Sequence, residues 1–266
     1  MTVKTVVVTG ASSGIGLATA DYLHKKGYRV IGLSRSKPIG NVPFQHVSCD
    51  ISDQSEIAKI SKMIKDEIGS IDALVNCAGK GIGGAIEETP IAEIDQLFSV
   101  NVRGTILFTQ AMIPLLRRGN RAKIINIGSV AGSLVIPFQS FYSMSKASLM
   151  AFSEALRMEL KPEKIDVTIV LPGDTKTGFT KNRVVTSTKP DSPYHGRVER
   201  SIQKMAYDEE HGSSPLAVAK KISKLLNRRS MPVSVTIGLE YKLFLFLQRI
   251  LPKRLVSWIL FQMYGK

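Results

Sequence analysis

The sequence is poor in cysteine, histidine and tryptophan, with two, four and one of each in 266 residues. Cys49 and Cys77 are too few for a disulfide-stapled framework, and they read as buried, reduced thiols. A basic segment followed by a cleavable apolar stretch is missing from the N-terminus, where Thr5–Val8 runs straight into a glycine-rich turn; a cytoplasmic location is expected. No apolar run reaches the ~20 residues that a membrane-spanning helix needs. Internal repeats and low-complexity tracts are absent as well, which excludes solenoids and disordered linkers.

Acidic residues are scarce: 22 Asp and Glu face 36 Lys and Arg, for a net charge of +14. The deficit is uneven. From Leu216 onward ten Lys or Arg stand against the single acid Glu240, so most of the excess sits in the last fifth of the chain. Such a surface attracts anions. Because no nucleic-acid reader motif or interleaved aromatic–basic stripe precedes the tail, nucleic acid is not an expected partner, and no metal site is expected.

What is present is an alternation of β-branched runs and helical stretches. Strands are predicted at Thr5–Val8, Arg29–Leu33, Gln45–Ser48, Ala73–Asn76, Lys123–Ile127, Val167–Leu171 and Val233–Ile237. Between them the pattern predicts helices from the glycine turn to about Gly27, Asp53–Ile68, a helix capped by Thr89 with Pro90 in its first turn, Gly104–Leu116, Phe141–Leu160 and Ser214–Asn227. Strands alternating with long helices pair in parallel through right-handed crossovers, and ligands gather at their carboxyl ends. The fold class is therefore α/β: one domain, residues 1–238, holding a doubly wound parallel sheet, with a C-terminal amphipathic extension at 239–266. The polar stretch 174–213 is too long for a simple connection and is expected to form a lid or a substrate pocket.

Two constellations carry chemistry. The first is Gly10, Ser12, Ser13, Gly14, Ile15 and Gly16, between the first strand and the first helix. There the glycines permit a tight turn, and free amides at the helix N-terminus receive a pyrophosphate. At the end of the second strand Ser34 and Arg35 follow with no acid after them; a guanidinium there accepts a ribose 2′-phosphate, which favours NADP(H). The second is Ser129, Tyr142 and Lys146. Tyr142 and Lys146 are four apart on one helix face, and an ammonium beside a phenol is expected to draw its pKa down from ~10. The pair can then exchange a proton with a substrate oxygen that Ser129, at a strand end, also holds.

The spacing of TGASSGIG, and its order with Ser129 and the YSMSK segment, resemble the classical short-chain dehydrogenases, most of all the NADP-dependent hydroxysteroid enzymes. The likeness covers about Val3 to Ile237 and implies a Rossmann-type fold, a dimer or tetramer, and an alcohol–ketone oxidoreductase. It also implies roles for single residues: Asn101 completes a catalytic tetrad by linking Lys146 to water, and Asp50 with Ile51 meets the adenine. Asn76, Ala78 and Gly79 lie along the cofactor (Cys77 replacing a second Asn), and Pro172, Gly173, Thr175 and Thr177 meet the nicotinamide carboxamide, with Asp174 an unusual neighbour. Ser13 stands where some NADP-using relatives carry a base.

For the substrate, Ser133–Phe138, Gly81–Ala85 and part of 174–213 are expected to form an apolar pocket. The tail at 239–266 reads as two short amphipathic helices flanking Pro252. They would cap a greasy pocket, pack in a dimer or lie on an anionic membrane. An apolar pocket with such an extension is similar to hydroxysteroid dehydrogenases and suggests a hydroxysteroid such as a bile acid; a lipid ketone or 3-oxoacyl group is the alternative, and a non-catalytic NADP(H)-binding regulator a third.

Overall fold

A computed structural model describes residues 4–119, 121–186 and 188–266. Residues 1–3, where the N-terminal reading begins, and Ser187 of the long insertion lie outside the described residues. In chain order the elements are β1 (Thr5–Thr9), α1 (Gly14–Lys25), β2 (Arg29–Ser34), β3 (Gln45–Ser48), α2 (Gln54–Glu67), β4 (Ala73–Asn76), β5 (Ile82–Gly83), α3 (Ile91–Phe98), α4 (Thr105–Leu116) and β6 (Lys123–Ile127). They continue with α5 (Ser140–Glu159), β7 (Asp166–Pro172), α6 (Phe179–Asn182), β8 (Val184–Val185), α7 (Arg197–Glu210), α8 (Pro215–Leu226), β9 (Ser234–Ile237), α9 (Leu239–Ile250) and α10 (Lys253–Tyr264).

Seven strands form one parallel sheet in the order β3-β2-β1-β4-β6-β7-β9. The order reverses between β1 and β4, the crevice where such sheets bind ligands. Both faces are covered, so the central strands β1, β4 and β6 are buried at every position and mostly apolar rather than alternating. Val7, Leu74 and Ile124 face α2, α4 and α5 through Ile60, Phe108, Met112 and Leu156. Val6, Val8 and Ile125 face α1 and α8 through Leu23, Val218 and Ile222.

Local chemistry explains most boundaries. Asp53 caps α2 by accepting from the Ser55 and Glu56 amides, while the Glu56 carboxylate reaches past it to the Asp50 amide. Thr89 does not cap α3 as the sequence suggests: Pro90 occupies the cap position, and the buried Thr89 hydroxyl donates back to the Ala85 carbonyl. Ahead of α4, Ser99–Gly104 form a π-helical turn that carries Asn101. The stretch 174–213 is no featureless loop, since it contains α6, β8 and the 14-residue α7. Beyond β9, α9 and α10 are the two amphipathic helices expected on either side of Pro252.

Candidate active site

At the carboxyl end of β1 the chain turns so tightly that only glycine fits. Gly10 and Gly14 adopt positive φ, and a Cβ on Gly16 would lie 2.2 Å from the Gly10 carbonyl oxygen. Ser13 caps α1 without spending its hydroxyl on the first-turn amides, so these face outward as anion donors. Thr9 braces the turn from behind, its Oγ1 accepting from the Cys77 and Ala78 amides at 3.1 Å each.

At the end of β2, Ser34 Oγ donates to the Ser36 carbonyl at 2.9 Å and lies 2.7 Å from His46 Nε2. Burial, and secondarily Lys37, hold His46 below the usual histidine range. Arg35 extends into solvent, its side chain 62% exposed. The sequence places no acid after β2, but the fold brings one from β3: Asp50 Oδ2 stands 4.0 Å from the Arg35 guanidinium. The other Asp50 oxygen accepts from the amide and hydroxyl of Ser52 at 2.8 and 2.7 Å.

Ser129 follows β6 and starts a 3₁₀ turn, accepting from the Ala131 amide. Tyr142 and Lys146 project from the first turns of α5 into the same space, with Lys146 Nζ 5.6 Å from the tyrosine ring centroid. Lys146 Nζ donates to the Ile127 carbonyl at 3.0 Å, and burial lowers its pKa to about 8. Tyr142 is pushed up to about 12 by burial, against the opposing pull of its hydrogen bond with Ser129. The depression expected from Lys146 is not seen: burial outweighs the Ser129 hydrogen bond and the Arg183 charge, the groups that pull the phenol down. Tyr142 is therefore a neutral phenol at neutral pH. Phe179 of α6 packs on its ring, centroids 5.5 Å apart.

These groups line one cavity of about 1110 Å³. The cradle residues Gly10, Ser12, Ser13, Gly14, Ile15 and Gly16 form one end, followed by Ser34, Arg35, Asp50, Ile51, Ala78 and Gly79. Ser129, Tyr142, Lys146, Pro172, Gly173, Thr175 and Thr177 form the middle. Thr177 is the threonine set against the cradle, its Cβ 3.4 Å from where a Gly14 Cβ would stand, whereas Thr175 bonds the Gly173 carbonyl and pairs with Ser213.

Two expected residues stand behind the wall. Asn76 is buried and donates to Thr109 Oγ1 and Asn126 Oδ1, tying β4 to α4 and β6. Asn101 clasps the Lys80 main chain, accepting from its amide at 2.8 Å and donating to its carbonyl at 3.0 Å and to Ser145 Oγ. A Cβ on Gly79 would lie 3.3 Å from Asn101 Oδ1 and 3.6 Å from Lys146 Nζ, so that glycine keeps the space between them open. Of the expected substrate walls, Gly81, Leu134 and Ile136 reach the cavity; Ile82, Ala85 and Phe138 are packed into the protein instead.

At the far end the tail takes up one of its three expected roles, a cap over an apolar pocket, while the polar ties that hold it there had no signal in the sequence. Phe244 and Leu247 of α9, Leu251 in the turn after it, and Val256, Leu260 and Met263 of α10 roof that end. Asp174 accepts the hydroxyl of Tyr241, whose ring lies where a side chain on Gly173 would sit, which accounts for the acid after that glycine. Asp208 accepts from Tyr264 at 2.9 Å and pairs with Lys204, and Glu209 takes the buried Arg183. Burial pushes Asp174 and Glu209 above the usual carboxylate range. Lys204 and Asp208 are four apart on α7, but no local spacing joins Tyr241 to Asp174, Tyr264 to Asp208 or Arg183 to Glu209, which meet only through tertiary packing.

The cradle fits a dinucleotide: free helix amides, a backbone closed to any Cβ, and a guanidinium at the adenosine end. Residues 4–187 match the family model described as short chain dehydrogenase. The chain is 37% identical over 236 residues to a 3-ketodihydrosphingosine reductase of Bacteroides thetaiotaomicron, covering 88% of this chain and 87% of that one. It is 35% identical to a probable short-chain type dehydrogenase/reductase of Helicobacter pylori, covering 95% of this chain and 93% of its relative. Among solved structures, a short-chain dehydrogenase from Streptomyces avermitilis superposes with a TM-score of 0.83 at 29% identity, over 94% of this chain and 93% of the other.

Proposed function

The chain belongs to the short chain dehydrogenase family, and on that premise we propose that it is an NADP(H)-dependent reductase of a ketone on a long-chain apolar lipid. The observation that carries the reading is the convergence of Ser129, Tyr142 and Lys146 midway between the glycine cradle and an apolar roof.

When bound along the cradle, a reduced nicotinamide would supply hydride chemistry at the carbonyl carbon. The protein's own groups manage the oxygen. Ser129 hydrogen-bonds it and orients the carbonyl. Tyr142, kept neutral by burial, passes its phenolic proton to that oxygen, so the carbonyl becomes a hydroxyl. Lys146 stabilises the phenolate left behind from above the ring. Arg35 would hold the 2′-phosphate, and the amides at the start of α1 the pyrophosphate.

Two observations favour a long-chain lipid ketone over the hydroxysteroid that the family resemblance first suggests. The roof from α9 and α10 is a row of aliphatic and aromatic side chains, suited to an extended chain. At its far end Asp174, Asp208, Glu209 and Glu240 line the cavity near Lys204, an acidic wall that disfavours the carboxylate of a bile acid. The relative from Bacteroides is named for a keto-lipid, 3-ketodihydrosphingosine.

The test is nicotinamide absorbance during turnover, with NADPH and NADH each offered a long-chain keto-lipid, a neutral keto-steroid and a keto-bile acid. NADPH should be consumed fastest with the keto-lipid. Faster turnover of either steroid would overturn the substrate assignment, and a preference for NADH would overturn the cofactor assignment.

A further inference from the structure

The α9–α10 hairpin is apolar on two sides, although only one of them meets the protein. Inward, its side chains roof the cavity. Outward, Leu239, Leu243, Phe246 and Ile250 recur at helical spacing along α9, and Leu255 and Trp258 along α10. Leu239 is 80% exposed and Trp258 58%. An exposed apolar patch of this kind marks an interaction surface.

The hairpin is fixed in place. Tyr241 bonds Asp174, Gln248 bonds the Ser133 carbonyl at 2.7 Å, Tyr264 bonds Asp208, and Arg197 holds the Gly265 carbonyl. The outward apolar face is thus a built feature of the folded protein.

Charge identifies what covers it. Lys242, Arg249, Lys253, Arg254 and Lys266 belong to this segment, against the single acid Glu240, which lines the cavity. Lys253 and Arg254 occupy the first turn of α10, where no acid balances them and the helix dipole disfavours a cation. A second copy of the chain seated on the same face about a two-fold axis would oppose base to base. No helix among the described residues is long and apolar enough to cross a membrane.

We propose that the outward face of the α9–α10 hairpin docks on an anionic lipid surface, its apolar stripe entering the headgroup boundary and its bases meeting lipid phosphates and carboxylates. Docking of the face stands on the hairpin alone. Its consequence, that substrate passes from the bilayer through this roof into the cavity, rests on the lipid-ketone reading above.

Trp258, the single tryptophan of the chain, reports on this face. The full-length protein is titrated with vesicles of phosphatidylcholine alone and of phosphatidylcholine with phosphatidylserine, and its fluorescence followed. A blue shift with the anionic vesicles, its loss in high salt and quenching by brominated lipid are expected. The charge reversal Lys253→Glu with Arg254→Glu, at exposed positions that do not line the cavity, should weaken partitioning by at least ~25-fold, about fivefold per base removed. Equal shifts on neutral and anionic vesicles, or no shift on either, would overturn the proposal. So would a shift that follows protein concentration without lipid and coincides with dimer in sedimentation. None of these readings requires turnover, so failure of the docking proposal and failure of the substrate assignment remain distinguishable.

Discussion

Replacing Arg35 by alanine isolates the group assigned to the 2′-phosphate. Its side chain is 62% exposed, and the nearest carboxylate, Asp50, is 4.0 Å away, so little folded structure depends on it. A charge-assisted hydrogen bond to a phosphate is worth about 1.5–3 kcal/mol, and solvent exposure places this one near the lower bound, or about tenfold in affinity. Arg35→Ala should therefore raise KM for NADPH about tenfold and leave KM for NADH nearly unchanged. The gap should narrow as salt screens the contact. The converse variant, Asp50→Asn, keeps an oxygen for the Ser52 amide and removes the charge that competes for the guanidinium, so NADPH should bind more tightly. Steady-state kinetics with both cofactors at two ionic strengths reads all of this. An equal loss with NADPH and NADH, or no loss with NADPH, would refute the assignment of Arg35.

Two further outcomes follow from buried lysines. Lys146 has its pKa lowered to about 8, so its ammonium is present below that pH and lost above it; ketone reduction should be flat below about pH 8 and decline above it, and Lys146→Met should abolish the decline together with most of the rate. A wild-type profile that stays flat through pH 10 would show that the ammonium does not assist. Lys123 Nζ donates to the Leu225, Leu226 and Arg228 carbonyls at the C-terminal end of α8. Lys123→Met strands these buried acceptors and should lower unfolding free energy by about 2–4 kcal/mol in urea denaturation; a loss under about 0.5 kcal/mol, the range of an ordinary surface change, would mean water replaces the lysine.

The parts of this fold that could be read in advance are those set by local rules. Strands buried on both faces announce themselves as apolar runs, and the glycine turn must be glycine because its backbone touches Ala78 and itself. Helix α7 escaped because its buried stripe is Val198, Ser201, Met205 and Glu209, so half of the positions that face the protein are polar. What satisfies Glu209 lies elsewhere in the chain: it is buried against Arg183 and Thr180. The same holds for Thr89, whose hydroxyl finds a carbonyl four residues back instead of the helix ahead. In the site, Ser129, Tyr142 and Lys146 were legible from spacing on one strand end and one helix face. The acidic wall and the ties to Tyr241 and Tyr264 were not, since they exist only once α9 and α10 fold back over the sheet edge. The direction of the Tyr142 shift depends likewise on burial, which one-dimensional spacing cannot express.

The central claim is that the Tyr142 hydroxyl gives its proton to the substrate. Tyr142→Phe removes that hydroxyl and keeps the ring that packs on Phe179. The decisive measurement is the rate of ketone reduction by this variant beside its affinity for NADPH. The rate should fall by about 10²–10⁴-fold, the usual worth of a general acid, with NADPH bound as in the wild type. Turnover at the wild-type rate with cofactor bound would contradict it.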